Sequence, residues 1–168
     1  MAHHITHTIR VGASASQIWE VLGDFSSIER TSHAVESSPI LTDIKQGVGT
    51  KRKCNFYDKK SVIEEIVRYE EGHSFSIVLS EFSMPMKSIE AEFSVEKITE
   101  NSCDITMSMD FVVKGGLLGW VMGALLLKPV LKKKVLKNEL IGLAYHTISG
   151  KLVGHTMPES DDLKLLRS

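Results

Sequence analysis

Two hydrophobic periods divide the chain. Ile89, Ala91, Phe93 and Val95 alternate with Glu90, Glu92, Ser94 and Glu96. Beyond Glu100-Asn101-Ser102, the residues Cys103, Ile105, Met107, Met109, Phe111 and Val113 alternate with Asp104, Thr106, Ser108 and Asp110. Strict period two with one polar face predicts an antiparallel pair wetted on one side. Weaker alternation marks further strands. Ile5, His7, Ile9 and Val11 share a face, as do Arg52, Cys54 and Phe56, then Ile63, Glu65, Val67 and Tyr69, then Phe75, Ile77 and Leu79. Gln46-Gly47-Val48-Gly49 and Glu70-Glu71-Gly72-His73 read as turns, and Val35 to Asp43 as an irregular strand broken by Pro39.

Helical period appears twice. Ser14 and Gln17 have capping-box spacing ahead of Ile18, Val21, Leu22 and Phe25. In the last third, Leu131, Val135, Ile141, Tyr145, Ile148 and Leu152 form a stripe that Leu136, Leu140 and Leu143 widen. Gly142 on this helix is expected to allow close approach to the sheet. Pro129 is expected to kink or divide the helix, leaving Leu117 to Lys128 a separate or bent segment. One strand, a short helix, a run of strands and a long closing helix make an α+β domain over 1–154, followed by a loose acidic tail over 155–168.

Composition narrows the functional classes. The 168 residues suit one domain, and a net charge of -1 gives no general footprint for nucleic acid. Cys54 and Cys103 have neither disulfide-framework nor metal-ligand spacing. His3, His4 and His7 cluster at the start, but no HExxH-like helix spacing accompanies them, so no metal is expected. GxSxG, P-loop and dinucleotide fingerprints are absent, and no cofactor is expected. The N-terminus lacks a charged region followed by an apolar one, so a cytoplasmic location is expected. Gly115 to Leu127 is uncharged for 13 residues, short of the roughly 20 that cross a bilayer.

The candidate chemistry lies on the inward strand faces. Phe56, Phe75, Ile77, Leu79, Phe93, Met107, Met109 and Phe111 either pack as core or line a space between sheet and helix. Arg52 shares a face with Cys54 and Phe56, where an unpaired guanidinium is very costly. It needs a carboxylate, a ligand anion or water. Glu65 is the expected partner, and a marginal structural ion pair or a bulge that turns Arg52 outward is the alternative. Trp19 covers the sheet edge or faces the space. Lys128, Lys132, Lys133, Lys134 and Lys137 adjoin the apolar stretch before them. Leu117 to Lys134 is therefore either a peripheral membrane contact or a solvated helix face.

Within this order of elements stand Ala15 with Ile18-Trp19-Glu20-Val21-Leu22 and Asp24-Phe25, Gly47-x-Gly49-x-x-Arg52, Val62-Ile63-Glu64-Glu65, Pro85 and Leu140-x-x-Leu143. In these residues, over roughly residues 3–154, the chain resembles the polyketide cyclase/dehydratase and lipid-transport family of the START-like (SRPBCC) superfamily. The resemblance implies a helix-grip fold, a curved antiparallel sheet of about six to seven strands around the C-terminal helix. It also implies binding or transfer of a hydrophobic small molecule: a lipid, an isoprenoid or a polyketide-like compound. Arg52 and Glu65 would orient a polar end of it. Trp19, Cys54, Leu118, Trp120, Met122 and Tyr145 join the inward strand residues as expected ligand contacts, with Leu117 to Leu127 as a movable lid. The rival implication is a cyclase, aromatase or dehydratase using Arg52, Glu65, His33 or Tyr69 as acid and base.

Overall fold

A computed structural model describes residues 1–83 and 85–159. Seven strands form one antiparallel sheet: β1 (His3–Val11), β2 (Val35–Ser37), β3 (Lys51–Phe56), β4 (Ser61–Glu70), β5 (Ser74–Ser80), β6 (Met86–Thr99) and β7 (Ser102–Val113). Their order is β1-β7-β6-β5-β4-β3-β2, so β2 to β7 meander and the first strand joins the last. The longest pair, β6 with β7, sets apolar opposite apolar on the inner face, with Ile89 facing Phe111, Phe93 facing Met107 and Val95 facing Ile105. Glu90 faces Asp110 and Glu92 faces Ser108 on the outer face, where Glu90 pairs with Arg68 and Asp110 is bonded to His4.

One strand departs from the alternation expected of it. In β4 the inner residues are Val62, Glu64 and Ile66, while Ile63 and Glu65 point outward. The register then shifts between Ile66 and Arg68, which restores Tyr69 to the inner side opposite Phe75. The bulge changes parity mid-strand, so a face read back from Tyr69 is wrong before it.

The first helix, α1 (Ala15–Leu22), starts with the capping box its sequence indicates: Ser14 Oγ accepts from the Gln17 N–H at 3.2 Å, and Gln17 Oε1 accepts from the Ser14 N–H at 2.9 Å. It buries Ile18 and Trp19. A 3-10 turn, Ile28–Arg30, leads into β2.

The C-terminal helix runs unbroken over 116–149. Pro129 does not divide it. Gly123–Leu127 and Leu131–Leu136 are π-helical, with bonds such as Lys128 N–H to Gly123 O and Lys137 N–H to Lys132 O, and Lys128–Val130 makes a single α turn between them. The wider turns relieve the clash between a prolyl ring and the carbonyl four residues back. Lys137–Ser149 is α-helical and ends at Gly150, which is left-handed with φ 68°. Leu152 lies past that end and is exposed, so it drops out of the stripe. Val153 is buried instead, its N–H bonded to Arg30 O at 2.9 Å. Gly142 does permit a close approach, but to the 3-10 turn rather than the sheet: a Cβ there would sit 2.0 Å from Thr31 O. Of the tail expected over 155–168, residues 160–168 lie outside those described.

Candidate functional site

The helix and sheet leave a cavity of about 410 Å³ between them. Its wall is mostly apolar and is drawn from six of the strands and the helix: Val35 of β2, Arg52 and Phe56 of β3, Val62 of β4, Ile77 and Leu79 of β5, Met86, Ile89, Ala91 and Phe93 of β6, Met107 and Met109 of β7, and Leu131 and Val135 of the helix. Ile28 and Phe82 complete the apolar surface. His33, Asp58, Lys60, Ser61, Ser83 and Lys134 add polar groups. That size falls within the range of small-molecule sites.

Among the charged side chains that line the cavity, Arg52, Glu64 and Glu139 come together from the sheet and the helix. Arg52 is buried at 3 % exposure and gives Nε to Glu64 Oε2 at 2.6 Å, with its second terminal nitrogen 2.5 Å from the same oxygen. Its remaining terminal nitrogen donates to Phe25 O at 2.9 Å, and the guanidinium lies 3.9 Å above the Phe25 ring. The requirement for a partner is therefore met within the protein, by Glu64. Glu65 instead pairs with Lys51 on the outer face at 3.1 Å. Register explains the correction, since Arg52 stands opposite Glu64 and Lys51 opposite Glu65.

Glu139 comes down from the helix above this pair. Ser32 Oγ donates to its Oε1 at 2.7 Å. Burial pushes the carboxyl up to about 7, helped by the nearby Glu64 and opposed by the Ser32 hydrogen bond and Arg52. Glu139 thus populates both protonation states near neutrality and can give or take a proton at the cavity wall. Cys54 lies under the pair. Burial, reinforced by Glu64, holds its thiol protonated and well above the ordinary range, which makes it a poor nucleophile. Desolvation lowers the pKa of His33, and its buried Nδ1 has no partner among the described residues.

Seven of the sixteen candidate residues line the cavity: Arg52, Phe56, Ile77, Leu79, Phe93, Met107 and Met109. The rest are elsewhere. Phe75 reaches only a small neighbouring pocket shared with Arg52 and Glu139. Trp19 gives its indole N–H to Glu71 at 3.0 Å and packs on Tyr69 and Phe75. Tyr69 is bonded to Gln46 and Glu71, away from the cavity. Phe111 and Tyr145 are core. Leu118 and Met122 are exposed, and Trp120 stacks on His3 at 5.6 Å.

The stretch Leu117 to Leu127, expected as a lid, contributes no residue to the cavity wall. Gly119 and Gly123 press this stretch against the ends of β7 and β1. A Cβ at Gly119 would lie 2.0 Å from Lys114 O, and one at Gly123 2.4 Å from His3 Nε2. Helix residues 131, 134, 135 and 139 reach the cavity instead. Sequence reasoning missed Glu64 and Glu139, though each left a signal. Counting back from a turn centred near Asp58 puts Glu64 opposite Arg52, and Glu139 falls at the i+4 step of the stripe begun by Leu131 and Val135.

No group of His, Cys, Asp and Glu among the described residues is arranged to hold a metal, and no helix among them is long and apolar enough to cross a membrane. No curated protein matches the chain significantly. Solved structures match its fold. The Zhui aromatase/cyclase of Streptomyces sp. R1128 superposes with a TM-score of 0.73 at 16% identity, covering 88% of this chain and 94% of that one. A Thermobifida fusca protein solved by NMR gives 0.72 at 18% identity over 93% and 99%. Norcoclaurine synthase of Thalictrum flavum gives 0.69 at 18% identity over 89% and 88%. These likenesses establish the helix-grip architecture. The family model described as polyketide cyclase / dehydrase and lipid transport matches residues 2–143, and the chain belongs to that family.

Proposed function

We propose that the protein binds a hydrophobic small molecule with one polar end, lipid-like or polyketide-like, inside the 410 Å³ cavity. The observation that carries this reading is the arrangement of the wall: a mostly apolar vault in which Arg52, Glu64 and Glu139 gather into a polar corner. Burying apolar ligand surface supplies the affinity at about 25 cal/mol per Å². The polar corner sets orientation. Because Arg52 and Glu64 neutralise one another, Glu139 determines whether that corner carries net charge, and its protonated form suits a ligand hydroxyl, carbonyl or carboxylate.

Two dyes test this, anionic anilinonaphthalene sulfonate and neutral phenylnaphthylamine. Ala91→Phe projects into the cavity and should abolish binding of both; undiminished binding would remove the cavity from the proposal. Arg52→Ala leaves Glu64 buried and unpaired, at about 3–5 kcal/mol in stability. The double replacement Arg52→Met with Glu64→Leu avoids that cost and should weaken the anionic dye more than the neutral one. An equal loss for both dyes would sink the orienting role. Native mass spectrometry of protein purified from its own host should reveal a co-purifying apolar compound.

A second reading is favoured by Glu139. A carboxyl pushed up to about 7 and facing an apolar cavity has the properties of a general acid or base in a cyclase- or dehydratase-type reaction. Turnover of a poly-ketone chain that Glu139→Gln abolishes, with dye binding intact, would favour catalysis over carriage.

A further inference from the structure

We infer that the first half of the C-terminal helix is a docking surface for an anionic lipid bilayer. Leu117, Leu118, Met122, Leu125, Leu126 and Val130 are between 49% and 73% exposed, six large apolar side chains within 14 residues. Val121 is exposed within the same segment, and the remaining exposed apolar residues lie in other parts of the chain. The leucines cannot turn inward, because Gly119 and Gly123 hold the opposite side of this helix against the side chain of Val113 at the end of β7 and the ring of His3.

Charge identifies the occupant. The 28 residues from Phe111 to Asn138 contain six lysines and no acid, in a chain whose net charge is -1. Lys132, Lys133 and Lys134 are exposed on the next turns of the same helix, and none of the six is ion-paired with another described residue. A second copy seated on this patch about a two-fold axis would bring lysines against lysines. A bilayer carrying anionic headgroups neutralises them while its acyl region takes the leucines. Trp120 is not part of the contact, being turned onto His3. Lys134 belongs both to the basic run and to the cavity wall, so docking sets the cavity beside the bilayer.

The docking stands independently of what the cavity holds, and it is tested without a ligand. The full chain is floated with vesicles of phosphatidylcholine alone and of phosphatidylcholine with about a third phosphatidylglycerol. Binding should be at least about tenfold tighter to the anionic vesicles and should fall as salt rises toward about 1 M. Leu118→Glu with Leu125→Glu should abolish it with the melting temperature unchanged, since both side chains are already in water. Lys132→Glu with Lys133→Glu should reduce it about tenfold or more. Failure to bind anionic vesicles, or binding that survives the two leucine substitutions, would overturn the assignment. So would a stable dimer in solution that those substitutions dissociate.

Discussion

The two halves of the C-terminal helix share a backbone and a leucine-rich composition, yet they bury opposite amounts of it. In the first half Leu117, Leu118, Leu125 and Leu126 are all more than half exposed. In the second, Leu131, Leu136, Leu140 and Leu143 retain at most 8%. Helical propensity does not separate them. What lies beneath does: the first half meets the sheet at the ends of β1 and β7, through Gly119, Gly123 and Trp120, whereas the second crosses the inner face over α1 and the cavity. A hydrophobic stripe states that a helix wants cover, and the sheet's extent decides which part receives it.

The sharpest test of that contrast is a pair of truncations. Leu140→Ala should cost about 2–5 kcal/mol in urea unfolding, while Leu118→Ala should stay within about 0.5 kcal/mol. Equal losses would break the comparison.

The acid in the buried half gives the next effect. Glu139 has a folded-state value of about 7 against an ordinary 4.5, so the folded protein holds this proton more tightly than the unfolded chain. Below about pH 4.5 both states are protonated and no stability is lost. Between about pH 4.5 and 7 the unfolded chain releases the proton while the folded state keeps it, so the wild type should lose up to about 3 kcal/mol relative to Glu139→Gln across this window, with no further loss above it. A difference between the two that stays flat over this window would show that Glu139 ionises as in water.

A smaller effect is expected where the buried half touches the 3-10 turn. Gly142→Ala improves helix propensity by about 1 kcal/mol, but the added methyl meets Thr31 O. The net result should be a loss of about 1–3 kcal/mol by thermal melting. A gain in stability would mean the contact yields easily.

Much of this was legible in the chain. The strands β6 and β7 follow from alternation because each has one wet and one dry face along its whole length. The capping box of α1 is local chemistry between Ser14 and Gln17 and needs no tertiary information. Arg52 was readable as a buried cation in need of a partner. Its partner was misread because β4 changes parity at a bulge, and Glu65 and Glu64 differ only in register. Glu139 was passed over although it lies on the apolar stripe, because one acid among leucines looks like a helix edge until the opposite wall is known.

The sequence alone determined the period of each element, their order, the strand-lined interior and the family. Those properties rest on near-neighbour spacing and on burial of one face, which a linear chain carries within itself. Tertiary structure decided which glutamate meets Arg52, how the helix passes Pro129 without breaking, and that the leucines of Leu117 to Leu126 face away from the cavity. Each depends on register or on which surfaces meet across space, and a one-residue slip or two glycine contacts change the answer without changing the pattern.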